Sequence, residues 1–287
     1  AGMTSHDVVA KLRKIYHTKK VGHTGTLDPD AVGVLPVCVG QATRLVEYLT
    51  EKDKTYKVVL AFGYETNTQD ASGEITVRTA LPALDKEAFC AVTEQFLGEI
   101  QQVPPMYSAI KKDGQPLYKL ARQGIDVEVA PRPVVIHEIC VLMYNQEHAM
   151  LEVRCGKGTY IRTLCQDLGR ACGSSAHMAY LMRTASGSFD IETAVTLEKL
   201  QQVQEPECFL QDMNTSLHGM PMLTVDKPAV QTRLLNGLSQ RLPGVEQLEP
   251  GTICRAVSAQ GQLLAIGTAE GEAFQPNKVF KCGETGE

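Results

Sequence analysis

The 287-residue chain has no tryptophan, only 6% aromatic residues and no apolar run near the ~18 residues that a membrane-spanning helix needs. It does not open on the charged-then-apolar pattern of a secretory signal, so none is expected. It starts at Ala1, and a fragment lacking its first strand is the expectation. The nine cysteines, Cys38, Cys90, Cys140, Cys155, Cys165, Cys172, Cys208, Cys254 and Cys282, form no C-x-x-C pair. An odd, scattered set argues against both a disulfide framework and a zinc site. Most lie in apolar contexts, where cysteine acts as a small hydrophobe, and a reducing cytoplasm is the expected location. Positive charge is not in excess either, since the formal net charge is −5.

What is present fits a globular protein. A hydrophobic share of 43% and a charged share of 21% exclude disorder, collagen and coiled coil. The length suits one large domain or two unequal ones. The charge is uneven: residues 1–60 carry nine Lys/Arg against six Asp/Glu, whereas residues 61–100 carry two against seven. A local positive patch near the start matters more to an anionic partner than the total, although a solvated basic helix face explains it equally well.

Ser5 reads as an N-cap for a helix carrying Val8, Val9, Leu12, Ile15 and Tyr16 at helical spacing. Six Gly and Pro residues between 21 and 40 make that stretch a long ordered loop. Strands are expected over 56–63, 134–144, 149–155 and 178–184. Helices are expected after Asp85, stopped at Gly98, around Leu117–Ala121, and over 160–172. Residues 204–221 read as a polar linker. Beyond it, Asp226 and Pro228 open a short helix, and strands are expected at 253–257, 263–266 and 279–280. The mixture lacks regular βαβ alternation, which predicts an α+β fold with a mixed, largely antiparallel sheet flanked by helices, followed by a small β-rich appendage.

The usual nucleotide and zinc motifs fail. Gly156-Lys157-Gly158-Thr159 lacks the upstream glycine of a phosphate loop, and Ile161 stands where a dinucleotide fingerprint needs its third glycine. His137-Glu138 begins an H-E-x-x-H, but Val141 occupies the last place. Neither cofactor nor metal is expected, and the chemistry falls to side chains. Two segments offer it. In Leu27-Asp28-Pro29, proline pushes Asp28 away from the helical conformation, amid glycines that let backbone approach a ligand; a surface Asp-Pro turn has the same appearance. Arg162 falls in the first turn of a helix, where a cation is unfavourable by about 0.3–1 kcal/mol unless an anion answers it. An arginine reaching into water is the plain alternative.

These segments lie within a wider resemblance. The string GHTGTLDPDAVGVLPVCVGQATRL at residues 22–45 strongly resembles the signature of the TruB family of tRNA pseudouridine synthases. Lys54-Thr55-Tyr56-Lys57, PPMYSAIKKDGQPLYKLARQG at 104–124 and GKGTYIRTLCQDLG at 156–169 resemble further family blocks in the same order. GTICRAV, GQLLAIG and QPNKVF resemble a PUA-type RNA-binding domain more weakly. The resemblance implies a catalytic domain over 1–215 and a PUA-like domain over 221–287. It implies Asp28 as the catalytic aspartate, Arg162 as its partner, and Tyr56 stacking on the target base and assisting proton removal from its C5. Tyr160 and Leu181 would line the base pocket, and His23 would face the RNA. The implied substrate is uridine 55 in the T-arm stem-loop of tRNA, acted on by a monomer without metal, membrane or cofactor.

Two positions depart from the pattern: Asp30 stands where an apolar residue is expected, and Val32 where a small hydroxyl is. Asp30 is thereby a rival carboxylate, since an extended loop puts it on the same side as Asp28. A carboxylate suits a carbon with oxocarbenium character, and a neighbouring Arg is expected to lower its pKa. Lys111, Lys112, Lys119 and Arg122 are candidates for phosphate contacts. The alternatives are a tRNA-binding or tRNA-folding protein without catalysis, a nucleoside glycosidase, and a guide-RNA-dependent synthase.

Overall fold

The computed structural model describes residues 2–112, 114–125 and 127–281. Its contacts divide the chain into two compact units, and neither is continuous in sequence. One comprises Ala1–Ser5, Thr26–Leu35 and Thr50–Ala194; the other comprises His6–Gly25, Pro36–Leu49 and Val195–Glu287.

The first unit is built on a seven-stranded sheet. Its main path runs Phe189–Asp190, Ala176–Ser186, Lys54–Phe62, His148–Cys155, Arg132–Asn145 and Gly98–Gln102, all antiparallel. Val32–Gly33 joins Ala176–Ser186 as the one parallel pairing of this sheet. Alternation is clearest in His148–Cys155, where Ala149, Leu151, Val153 and Cys155 turn inward and are buried. The Ile161–Ala171 helix covers that face with Ile161, Leu164, Cys165 and Leu168. The Lys86–Glu94 helix adds Phe89, whose ring stacks on Tyr144 at 4.5 Å. Asp85 caps it as expected, accepting from the Ala88 amide at 2.8 Å.

The second unit holds most of the Ser5–Ile15 helix, whose Val9 and Leu12 pack with Val21, Leu197 and Leu200. It also holds a four-stranded sheet ordered Met222–Val225, Ile253–Ser258, Leu263–Glu270 and Ala273–Val279. Within this unit Lys278 Nζ donates to the Arg44 carbonyl at 2.8 Å, and Tyr16 donates its hydroxyl hydrogen to the Pro206 carbonyl at 3.1 Å. The contacts therefore part at Ala194/Val195 and at two earlier excursions of the chain. The reading from sequence put one boundary between 215 and 221.

Several elements differ from expectation. Residues 21–40 contain three short strands: Val21–His23 and Val37–Val39 pair with each other, and Val32–Gly33 pairs with the distant Ala176–Ser186 strand. Gly98 opens a strand after the helix has already ended at Glu94. Residues 204–221 contain the Pro206–Phe209 3₁₀ turn and the Met213–Ser216 helix, capped by Asp212. The last strand is Ala273–Val279, which carries Pro276 at a sheet edge, where a missing amide is tolerated. The Ser5 hydroxyl serves Leu27, donating to its carbonyl and accepting from its amide. Cys38, Cys155, Cys165, Cys172 and Cys254 are buried, and burial raises each thiol pKa; Cys282 lies outside the described residues.

Candidate active site

The segment bearing Asp28 is fixed by its neighbours on both sides. Ser5 Oγ holds Leu27, and the Gly2 amide donates to the Pro29 carbonyl at 2.8 Å. Asp28 to Ala31 forms a turn with Pro29 second, closed by the Ala31 amide on the Asp28 carbonyl at 3.0 Å. On the far side Gly33 lies in parallel pairing with Arg183. A side chain at Gly33 has no room: its Cβ would stand 2.1 Å from the Arg183 carbonyl oxygen, and its φ is +107°. Val34 and Arg183 exchange two further bonds, amide to carbonyl at 2.8 Å and Arg183 Nε to the Val34 carbonyl at 2.7 Å.

The turn sets Asp28 and Asp30 in different surroundings. Extended backbone would place both carboxylates on one side, but the bend breaks that alternation, and Asp30 is exposed.

Arg162 is the centre of the arrangement. It lies in the first turn of the Ile161–Ala171 helix and is 5% exposed, so it does not reach into water. Its Nε is 2.9 Å from Asp28 Oδ2, and Nη2 donates to Asp28 Oδ1 at 3.3 Å. Nη2 also donates to the Tyr107 carbonyl at 2.9 Å, and Nη1 to the Thr68 carbonyl at 3.0 Å. Asp70 Oδ2 lies 3.9 Å from Nη1. Two carboxylates thus answer a cation placed against the helix dipole, and the guanidinium plane is fixed on every edge.

The expected direction of the Asp28 pKa is overturned. Burial raises it, and Arg162 lowers it by less; Asp70 and Asp30 add to the rise. The Asp28 side chain nevertheless keeps 34% exposure, so a substrate can reach it.

Tyr56 lies on the Lys54–Phe62 strand in register with Arg183, and its hydroxyl hydrogen-bonds the Arg183 guanidinium. Burial raises its pKa, with Arg183 opposing, so the phenol stays neutral around pH 7. Leu181 is buried on Ala176–Ser186 and packs in the same core as Tyr56. Tyr160 precedes the helix and is held by Gln102, whose side chain accepts from its amide at 2.8 Å and donates to its carbonyl at 3.0 Å. Asp28, Tyr56, Tyr160, Arg162 and Leu181 all belong to the first unit. His23 belongs to the second, where its ring meets His6 edge-on at 5.7 Å and its Nδ1 accepts from the Gly25 amide. Lys111, Lys112, Lys119 and Arg122 are exposed.

Three participants escaped the sequence reading. Asp70 sits in Gln69-Asp70-Ala71-Ser72-Gly73, which carries only a turn signal. Arg183 is 1% exposed, although alternation along its strand gave no such warning. Gln102 is buried and had no motif to mark it. Among the described residues, no three His, Cys, Asp or Glu side chains converge to hold a metal ion, and no helix is long and apolar enough to cross a membrane.

Comparison with known proteins decides the family. Residues 13–161 match the model of the TruB family pseudouridylate synthase N-terminal domain. Residues 162–217 match that of the tRNA pseudouridylate synthase B C-terminal domain. The chain belongs to the TruB family of pseudouridylate synthases. It is 42% identical over 280 residues to the tRNA pseudouridine synthase B of Caldanaerobacter subterraneus subsp. tengcongensis, covering 97% of this chain and 95% of that protein. It is 48% identical over 236 residues to the protein of that name from Alkaliphilus oremlandii, covering 82% and 78%. Among solved structures, it superimposes on a chain of a Cbf5-Nop10-Gar1 complex with a TM-score of 0.74 and 28% identity, covering 98% of this chain and 82% of that one. As a TruB family member the chain is a pseudouridine-forming isomerase. The mixed helix and sheet architecture agrees with that family's neighbours in structure.

Proposed function

We propose that this chain is a tRNA pseudouridine synthase that isomerises uridine 55 in the T-arm loop, with Asp28 as the acting carboxylate. The observation that carries this reading is the doubly bonded Asp28–Arg162 pair, in which a buried guanidinium fixes a carboxylate that remains open on one side. In the reaction the bond from uracil N1 to C1′ breaks and a bond from C5 to C1′ forms. The C5 proton is lost and N1 gains one, so nothing is oxidised and no group is gained. No cofactor or metal is required for that balance.

The target base must leave the stack to reach Asp28, which costs a few kcal/mol that pocket contacts offset. Tyr56 stacks on the base, with Tyr160 and Leu181 lining the pocket. Arg183, bonded to the Tyr56 hydroxyl, partly opposes the effect of burial on the phenol that assists proton removal from C5. His23 faces the RNA, and the exposed Lys111, Lys112, Lys119 and Arg122 contact phosphates, which position an RNA without reading its sequence. Residues 1–215 form the catalytic domain, and residues 221–287 act as a PUA-like RNA-binding domain. The enzyme works as a monomer in the cytoplasm.

The test maps pseudouridine in a T-arm stem-loop RNA after incubation with wild type and with Asp28→Asn. Product at the single loop uridine with wild type alone supports both the reaction and the assignment. Product with both proteins keeps the reaction and shifts the role to Asp30. Tight RNA binding with no product from wild type favours a tRNA-folding protein.

A further inference from the structure

The face of Arg162 away from Asp28 is held by the loop 67–73, which supplies the Thr68 carbonyl and the Asp70 carboxylate. That loop contains Gln69, which has φ +64°, a left-handed conformation that disfavours any residue with a Cβ. Glycine would adopt it freely, and the glutamine side chain explains why one is not needed. Gln69 Oε1 accepts from Thr163 Oγ1 at 2.8 Å, and Gln69 Nε2 donates to Gln166 Oε1 at 2.9 Å.

Thr163 and Gln166 follow Arg162 on the same helix and share one face, three residues apart. The bond series continues through Glu65 to Arg170. Gln166 Nε2 donates to Glu65 Oε2 at 2.7 Å, and Arg170 pairs with the same carboxylate at 2.8 Å. Thr163, Gln166 and Glu65 are all buried, so each bond carries weight that water does not replace. The Gln69 backbone is held separately, its carbonyl accepting from the Met178 amide at 3.0 Å.

We propose that Gln69 is a positioning residue for pseudouridine formation, clamping the Thr68/Asp70 loop to the Arg162 helix so that the guanidinium stays in plane with Asp28. The inference rests on the reading of Asp28 and Arg162 as the reacting pair. Without the clamp, the loop drifts from Nη1, and Arg162 follows it away from Asp28. Arg162, Asp70 and Asp30 are the charged groups that act on Asp28, so a drifting Arg162 leaves burial and the two carboxylates less opposed.

The experiment compares wild type with Gln69→Gly and Gln166→Ala in single-turnover pseudouridine formation across pH, alongside RNA affinity and thermal melting. Gln69→Gly removes the bridge and also relieves the left-handed strain, so it folds. The expected result is a rate at least tenfold lower, with RNA affinity within twofold and the acid limb of the pH profile displaced upward. Gln166→Ala shows the same displacement with a smaller loss of rate. A Gln69→Gly protein with the wild-type rate and acid limb overturns the proposal. So does a rate loss with an unmoved acid limb in both variants. If wild type itself makes no pseudouridine, the proposed function fails before this inference is reached.

Discussion

Replacing Arg162 by lysine keeps the charge and removes the fork, so it isolates geometry from electrostatics. The guanidinium makes two contacts to Asp28 and one each to the Tyr107 and Thr68 carbonyls. A single ammonium on a shorter reach can keep one contact to Asp28 and cannot span all four acceptors. A hydrogen bond involving charged groups contributes about 1.5–3 kcal/mol. Loss of one of the two bonds to Asp28 therefore slows the step by about 10- to 150-fold, at ~1.4 kcal/mol per tenfold. The two carbonyls are half-buried, and leaving them unmet costs about 1 kcal/mol each in stability. The assay is single-turnover conversion of a T-arm stem-loop RNA, with affinity measured separately. The reasoning predicts that the loss appears in the rate and leaves affinity nearly intact. A lysine variant at the wild-type rate, or one whose defect lies wholly in RNA binding, would refute the role given to the fork.

Other consequences are equally open to measurement. Asp28→Asn should abolish product while melting no lower than wild type at neutral pH. Burial raises the folded-state pKa of Asp28, so its contribution to stability is present at low pH and is lost as pH rises through that value. The melting temperature of wild type relative to Asp28→Asn should accordingly fall from acid to neutral pH, and a rise would contradict the assigned direction. Gly33→Ala should cost at least 1–3 kcal/mol, because its Cβ meets the Arg183 carbonyl and its φ is unsuited to alanine; denaturant unfolding and activity should both report it. Phe89→Ala should cost about 3–5 kcal/mol by chemical denaturation while the folded fraction keeps its specific rate, since the ring contacts of Phe89 are to Tyr144 and Phe62.

The contrast between what the sequence disclosed and what it concealed follows the range of the forces involved. Asp85 and its helix, the 148–155 strand and the 161–171 helix were legible because cap, alternation and helical stripe are written within a dozen residues. Arg162 was legible only in part: a cation in a first helical turn is a local conflict that either an anion or solvent can answer, and only the fold shows that Asp28 answers it. Asp70 was not, because nothing in a turn-forming stretch tells which distant helix it faces. Arg183 was hidden in a strand whose polar positions normally face water, yet it is 1% exposed. Pro276 likewise masked a strand that only its edge position in the sheet permits. The wrong sign for Asp28 has the same origin. An arginine nearby in space lowers a carboxylate pKa, and the family motif supplied that neighbour; burial depends on the whole fold and outweighs it. The site is consequently one where the chain spends stability to keep a carboxylate in place. Arg162, steadied by the Gln69 bridge, offsets a cost that burial imposes on Asp28 and that the Asp70 carboxylate adds to, and loosening Arg162 or its bridge should relax Asp28 toward its neutral form rather than toward solvent.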